Sequence, residues 1–204
     1  MPPDATVRIE DLTGSAILPA VGDVARLRIE VFCEWPYLYD GSLDYERTYL
    51  AGLSTAKDAL IVAAWDGTRI VGAATAAPLA GHTSEFAVLF RAHGLDPDRI
   101  FYCGESVLLP AYRGSGLGHA FFDRREAHAR RCTGPAGAFT HVAFCAVVRA
   151  DEDSRRPPGY RPLDAFWSKR GYRHVAGLLG SYTWKEMGAR AETEKSMQFW
   201  MKPL

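Results

Sequence analysis

A chain of 204 residues suits one domain and is long enough to bury a substantial core. Apolar residues make up 48% and charged residues 24%, which excludes intrinsic disorder. The 24 Lys and Arg balance 24 Asp and Glu, so neither net charge nor any basic block points to nucleic acid.

Val7 to Leu12 alternates apolar and polar residues, the pattern of a half-buried strand. Gly22-Asp23 predicts a helix start with Asp23 as N-cap; Val24, Leu27 and Val31 give the helix an apolar face, and Pro36 ends the pattern. Residues 34–49 mix aromatics with acids, and Asp44 to Leu53 reads as a second helix. Ala59–Trp65 and Arg69–Ala76 read as a hairpin across Asp66-Gly67. His82–His93 predicts a modest helix.

Phe101–Leu109 predicts a strand, and about Gly116 to Arg131 a helix with Leu117, Ala120, Phe121 and Ala127 on one face. His141–Val148 is nearly all apolar, as at the centre of a sheet. Residues 149–162 form a polar, proline-rich loop. Leu163–Arg170 is a short helix stopped by Gly171, and Ser181–Met187 with Ser196–Met201 predicts a terminal hairpin. The order β-α-α-β-β-α-β-α-β-α-β-β implies a single α/β (α+β) domain over 1–204, a mixed sheet with helices on both faces.

No apolar run approaches the ~18–20 residues of a membrane span, and MPPDATVRIEDL lacks the order of a signal peptide. Cys33, Cys103, Cys132 and Cys145 are scattered, so free thiols in the cytoplasm are expected. The six histidines form no H-x-H or H-x-x-x-H spacing, and no metal is expected.

The distinctive stretch is VLLPAYRGSGLGHAFF, a strand, an Arg-Gly-x-Gly-x-Gly turn and a helix start. Unpaired N–H groups and the helix dipole make such a start a cradle for anions, and glycine lets the backbone come close. No Lys-Ser/Thr follows the glycines, so it is not a P-loop. Gly114, Gly116 and Gly118 are spaced two apart, with His119 where a dinucleotide motif needs glycine or alanine.

The stretch resembles the acyl-CoA-binding motif of the GNAT superfamily of N-acetyltransferases, [QR]-x-x-G-x-[GA] after a strand. Arg113, Gly116 and Gly118 occupy the specified positions, and LDAFWSKRGY (163–172) is similar to the family's helix end. The resemblance implies the GNAT fold, a mostly antiparallel twisted sheet of about seven strands with a splayed central pair. It implies acetyl-CoA as co-substrate, with its pyrophosphate on the backbone of Gly114, Ser115, Gly116, Leu117, Gly118 and His119. Its pantetheine would lie along Ser106, Val107 and Leu108, where a backbone N–H of Ser106 or Leu108 would stabilise the oxyanion.

Removing a proton from the attacking amine needs a base, and Glu105 is the only acid in that strand; the alternative is a structural pairing with Arg113 or Arg161. Trp167 stands where many family members carry a tyrosine acid, and its indole does not titrate. Tyr160 and Tyr172 are substitutes by residue type. Trp35, Tyr37, Tyr39 and Asp40 suit a cationic amine, or else pack a solvated surface. Arg161 could clamp a carboxylate or phosphate. The expected function is acetyl transfer to an amine, most simply of a small molecule, with a protein N-terminus or lysine left open, by a monomer or homodimer; the alternative is a non-catalytic acyl-CoA-binding module.

Overall fold

The computed structural model describes residues 7–81 and 84–204. Along the chain lie β1 (Arg8–Leu12), α1 (Val21–Phe32), α2 (Leu43–Leu53), β2 (Leu60–Asp66), β3 (Arg69–Pro78), α3 (Ser84–Ala92), β4 (Ile100–Leu108) and α4 (Leu117–Arg131). The short pair β5 (Thr133–Gly134) and β6 (Gly137–Ala138) comes next, then β7 (His141–Val147), α5 (Asp164–Lys169), β8 (Arg173–Lys185) and β9 (Glu192–Pro203). The predicted start of the third helix, His82, lies outside the described residues.

Seven strands form one sheet in the order β1-β2-β3-β4-β7-β9-β8. Every neighbouring pair is antiparallel except β4 and β7, which run parallel at the centre. β4 and β7 pair only at Ile100–His141, Phe101–Val142 and Tyr102–Ala143. Beyond Tyr102 the strands part, so the splayed central pair is present. α4 and α5 cover one face, where Phe122, Phe166 and Trp167 pack on Phe101, Cys103, Phe144 and Trp200. α3 covers the other, with Phe86 and Phe90 against Tyr102, Cys145 and Phe199. α1 and α2 lie on this second face too, where Arg28 and Tyr49 reach Glu105 of β4.

Two starts differ from expectation. A 3₁₀ turn over Gly14–Ala20 runs straight into α1, with the Val21 N–H donating to Leu18 O. The helix therefore begins at Val21 after Ala20, and Asp23 pairs with Arg26 instead of capping. α2 is capped by Ser42, whose hydroxyl accepts the Tyr45 N–H at 3.4 Å. The terminal hairpin is longer than predicted because β8 is an edge strand. It is largely exposed and breaks register between His174 and Leu179, so its sequence shows no clean alternation.

A bulge in β4 decides which of its side chains face which helices. Ala74 pairs with Ser106 and Ala76 with Cys103, so Thr75 faces both Gly104 and Glu105. The extra residue reverses side-chain parity. Tyr102 and Glu105 thus face α1 and α2, while Cys103 and Ser106 face α4. Gly104 is required here, because a Cβ would collide with Thr75 Oγ1.

Candidate active site

The glycine turn lies between the end of β4 and α4. Gly114 and Gly116 take positive φ, 80° and 88°, which L side chains rarely adopt, and Gly116 is the N-cap of α4. Ser115 Oγ donates to Tyr112 O at 2.6 Å, closing the turn. The first N–H groups of α4 have no partner within the helix and point outward past glycines. Arg113 Nε donates to Leu108 O at 3.1 Å, and its Nη2 pairs with Glu34 at 3.0 Å. Arg113 therefore ties the turn to β4 and to the segment after α1. The His119 ring packs edge-on against Phe166 and bonds to Arg170 through Nδ1 at 3.1 Å. Backbone donors at a helix start with dipole support fit a pyrophosphate.

Where β4 leaves β7, the edge carrying Ser106, Val107 and Leu108 loses its strand partner and can accept an extended chain. The bulge is braced from the α4 side by Arg125, which is 1% exposed. Its guanidinium donates to Thr75 O (3.3 Å), Glu105 O (3.1 Å) and Ser106 Oγ (2.9 Å), and lies 4.7 Å from the Phe122 ring. Among the described residues no carboxylate pairs with it. The Ser106 side chain is thus turned toward α4, away from the opposite face of the sheet.

On that opposite face, under α1 and α2, a cavity of about 360 Å³ opens at the bulge. Tyr37, Tyr39 and Asp40 line it, as do Glu105, Tyr102, Cys145, Tyr182 and Trp184. At its floor Arg28 forms close ion pairs with both Glu46 and Glu105. Tyr49 donates to Glu105 Oε2 at 3.3 Å, and Arg28 sits 4.8 Å over the Tyr49 ring. The partner of Glu105 is thus Arg28, and neither Arg113 nor Arg161. Burial pushes the phenols of Tyr37, Tyr49, Tyr102 and Tyr182 above their ordinary range, so they remain neutral near pH 7. Burial also raises the Cys145 thiol to about 12, although the Tyr102 hydroxyl 3.1 Å away favours the thiolate. Among the described residues no histidine lines the cavity, and its carboxylates are the groups able to take a proton there.

Trp35 and Tyr160 do not line the cavity; their rings meet edge to face at 6.1 Å. The Tyr160 phenol is raised by burial and by Asp164. Arg161 is exposed and also outside the lining. Trp167 packs on Phe144 and Trp200, centroids 5.0 and 5.1 Å away. Tyr172 is buried and donates to Glu126 at 3.1 Å. The loop after β7 is fastened over the site by Arg149, which donates to Pro36 O at 2.7 Å and Tyr37 O at 3.1 Å. Arg149 and Arg155 also grip Glu186, each at 2.6 Å, which leaves neither free as an acceptor clamp.

Sequence reading missed Arg28, Glu46, Tyr49 and Arg125. A signal was present. Arg28 falls in the apolar stripe Val24–Leu27–Val31, Glu46 in phase with Leu50 and Leu53, and Arg125 in phase with Phe121 and Ala129. A charge at a core phase of an amphipathic helix is held there by a partner.

Among the described residues, no group of His, Cys, Asp and Glu is placed to hold a metal ion, and no helix is long and apolar enough to cross a membrane.

No family model matches the chain, and no curated protein matches it. Solved structures do. An acetyltransferase of the GNAT family from Streptococcus pneumoniae shares 10% identity at TM-score 0.57, covering 98% of this chain and 100% of that one. A ribosomal-protein-alanine N-acetyltransferase from Brucella melitensis shares 13% at TM-score 0.59, covering 97% and 99%. Arabidopsis thaliana NAA60 in complex with acetyl-CoA shares 12% at TM-score 0.57, covering 98% and 99%. The chain has the GNAT acetyltransferase fold.

Proposed function

We propose that this protein is an N-acetyltransferase that moves the acetyl group of acetyl-CoA directly to an amine. The observation that carries the proposal is the opening of β4 from β7 after Tyr102, with the glycine turn beyond one end of the free edge and the carboxylate-floored cavity beside the other. One motif and one cavity meet at the same stretch of strand.

In this reading, backbone N–H groups of residues 114–119 bind the pyrophosphate, and the free edge of Ser106–Leu108 holds the pantetheine. A backbone N–H of Ser106 or Leu108 stabilises the oxyanion as the amine attacks. Glu105 draws the proton from the ammonium, directly or through water. Arg28 and Tyr49 fix the Glu105 carboxylate in orientation. The departing thiolate takes up a proton without help from Trp167 or Tyr172, since a free thiol has a pKa of about 8.5. Direct transfer is favoured over a cysteine relay because the cavity's thiol, Cys145, is held protonated and the thiolate is the nucleophile.

The test is calorimetric titration with acetyl-CoA, followed by assay of free thiol released with a panel of amines. Saturable binding and acceptor-dependent thiol release are expected. Thiol release without acceptor would point to a covalent relay. Binding with no release for any amine would favour the acyl-CoA-binding module, and no binding would end the reading.

A further inference from the structure

The cavity carries more negative charge than its own cations neutralise. At the floor, Arg28 is shared between Glu46, which is fully buried, and Glu105. At the rim, Lys185 is taken by Asp40 at 2.7 Å. Glu192, also in the lining, is exposed and has no ion-pair partner among the described residues. Floor and rim are therefore each left with an unneutralised carboxylate. Between them the walls are Phe32, Tyr37, Tyr102, Tyr182, Trp184 and Met197, apolar surface with aromatic faces.

Resting on the transferase reading above, we infer that the acceptor is a slender alkyl diamine carrying two ammonium groups. One nitrogen reacts above Glu105 while the other remains an ammonium against Glu192. The alkyl chain lies on the aromatic walls, which also favour a cation. An α-amino acid fits poorly, because its carboxylate would need a free cation beside the reacting nitrogen. Arg28 is already committed to two carboxylates there. A bulky polycation fits poorly too, since about 360 Å³ is near the low end of small-molecule sites, ~300–1,000 Å³.

The step balances with these residues. The reacting ammonium gives one proton to Glu105 or to water beside it. The nitrogen lone pair forms the N–C bond at the acetyl carbon, and the C–S bond breaks. The electron pair leaves on sulfur, and the second proton that the nitrogen loses as it becomes a neutral amide passes through solvent to that thiolate. The distal ammonium is unchanged.

The experiment compares putrescine, butylamine and glycine as acceptors, and separately titrates putrescine into the protein without acetyl-CoA. A kcat/KM for putrescine about tenfold or more above butylamine is expected, from one extra charge contact in a partly enclosed site. Glu192→Gln should shrink that ratio several-fold and weaken putrescine binding by a similar factor. Equal use of putrescine and butylamine, or a preference for glycine, would overturn the inference while leaving the transferase reading intact. Saturable putrescine binding that Glu192→Gln weakens, with no thiol release, would uphold the diamine site and sink the transferase reading. The absence of both putrescine binding and putrescine preference would overturn the inference.

Discussion

Arg125→Met is the sharpest probe of how the site is held. In the wild type, the buried guanidinium answers Thr75 O and Glu105 O, the two carbonyls on either side of the bulge, and also Ser106 Oγ. Methionine fills similar space but takes the guanidinium donor away from both carbonyls. Losing a buried donor costs roughly 1–3 kcal/mol at each. Removing a buried cation returns part of this, because among the described residues no carboxylate pairs with Arg125, and backbone dipoles and the Phe122 ring offset its desolvation. The net loss is about 2–4 kcal/mol, a large share of the ~5–15 kcal/mol that holds a domain together. Urea unfolding monitored by fluorescence measures it. Because the bulge aims Glu105 into the cavity and Ser106 away from it, kcat should fall further than acetyl-CoA affinity. A variant within about 0.5 kcal/mol of wild type, with unchanged kcat, would refute the brace.

Glu105→Gln should lower kcat by about 100-fold with acetyl-CoA affinity retained; an unchanged rate and pH profile would remove Glu105 as the proton acceptor. Gly104→Ala should cost about 1–3 kcal/mol, because the new Cβ meets the stiff Thr75 side chain. Adding Thr75→Ala should recover part of that loss in the same unfolding assay, and a double variant no better than the single would argue against the collision. Glu186 is pushed up by burial but pulled down further by hydrogen bonds from Arg155 and Arg149, so its folded pKa lies below the ordinary value. A depressed carboxylate stabilises the fold above its unfolded pKa of about 4.3 and loses that contribution as pH falls through the folded value. Stability should therefore drop below about pH 4.5, and Glu186→Gln should flatten that drop; an identical acid profile would refute the anchor.

How far the sequence could be read depends on which interactions are local. The glycine turn was legible because positive φ and an open helix start are demands on single residues, and Gly114 and Gly116 meet them. The central position of β7 was legible because both its faces are covered, which leaves an unbroken apolar run. β8 was half legible: an edge strand has one ladder and little burial, so nothing in RHVAGLLG separates it from a loop. The cavity was legible only on one side. Tyr37, Tyr39 and Asp40 stand in an evident aromatic and acidic segment, but the floor is assembled from α1, α2 and β4, far apart in the chain. Its key is the bulge at Gly104 and Glu105, which no alternation pattern announces, because one inserted residue changes only the parity of the residues after it. Without that reversal Glu105 would face α4 and Arg125, on the other side of the sheet from Arg28 and Tyr49. The same residue would then be a structural ion pair under a helix, not a carboxylate at the mouth of the split strands. The chemistry of this fold thus depends on a single extra residue in β4, and Gly104, Thr75 and Arg125 are the residues that keep it there.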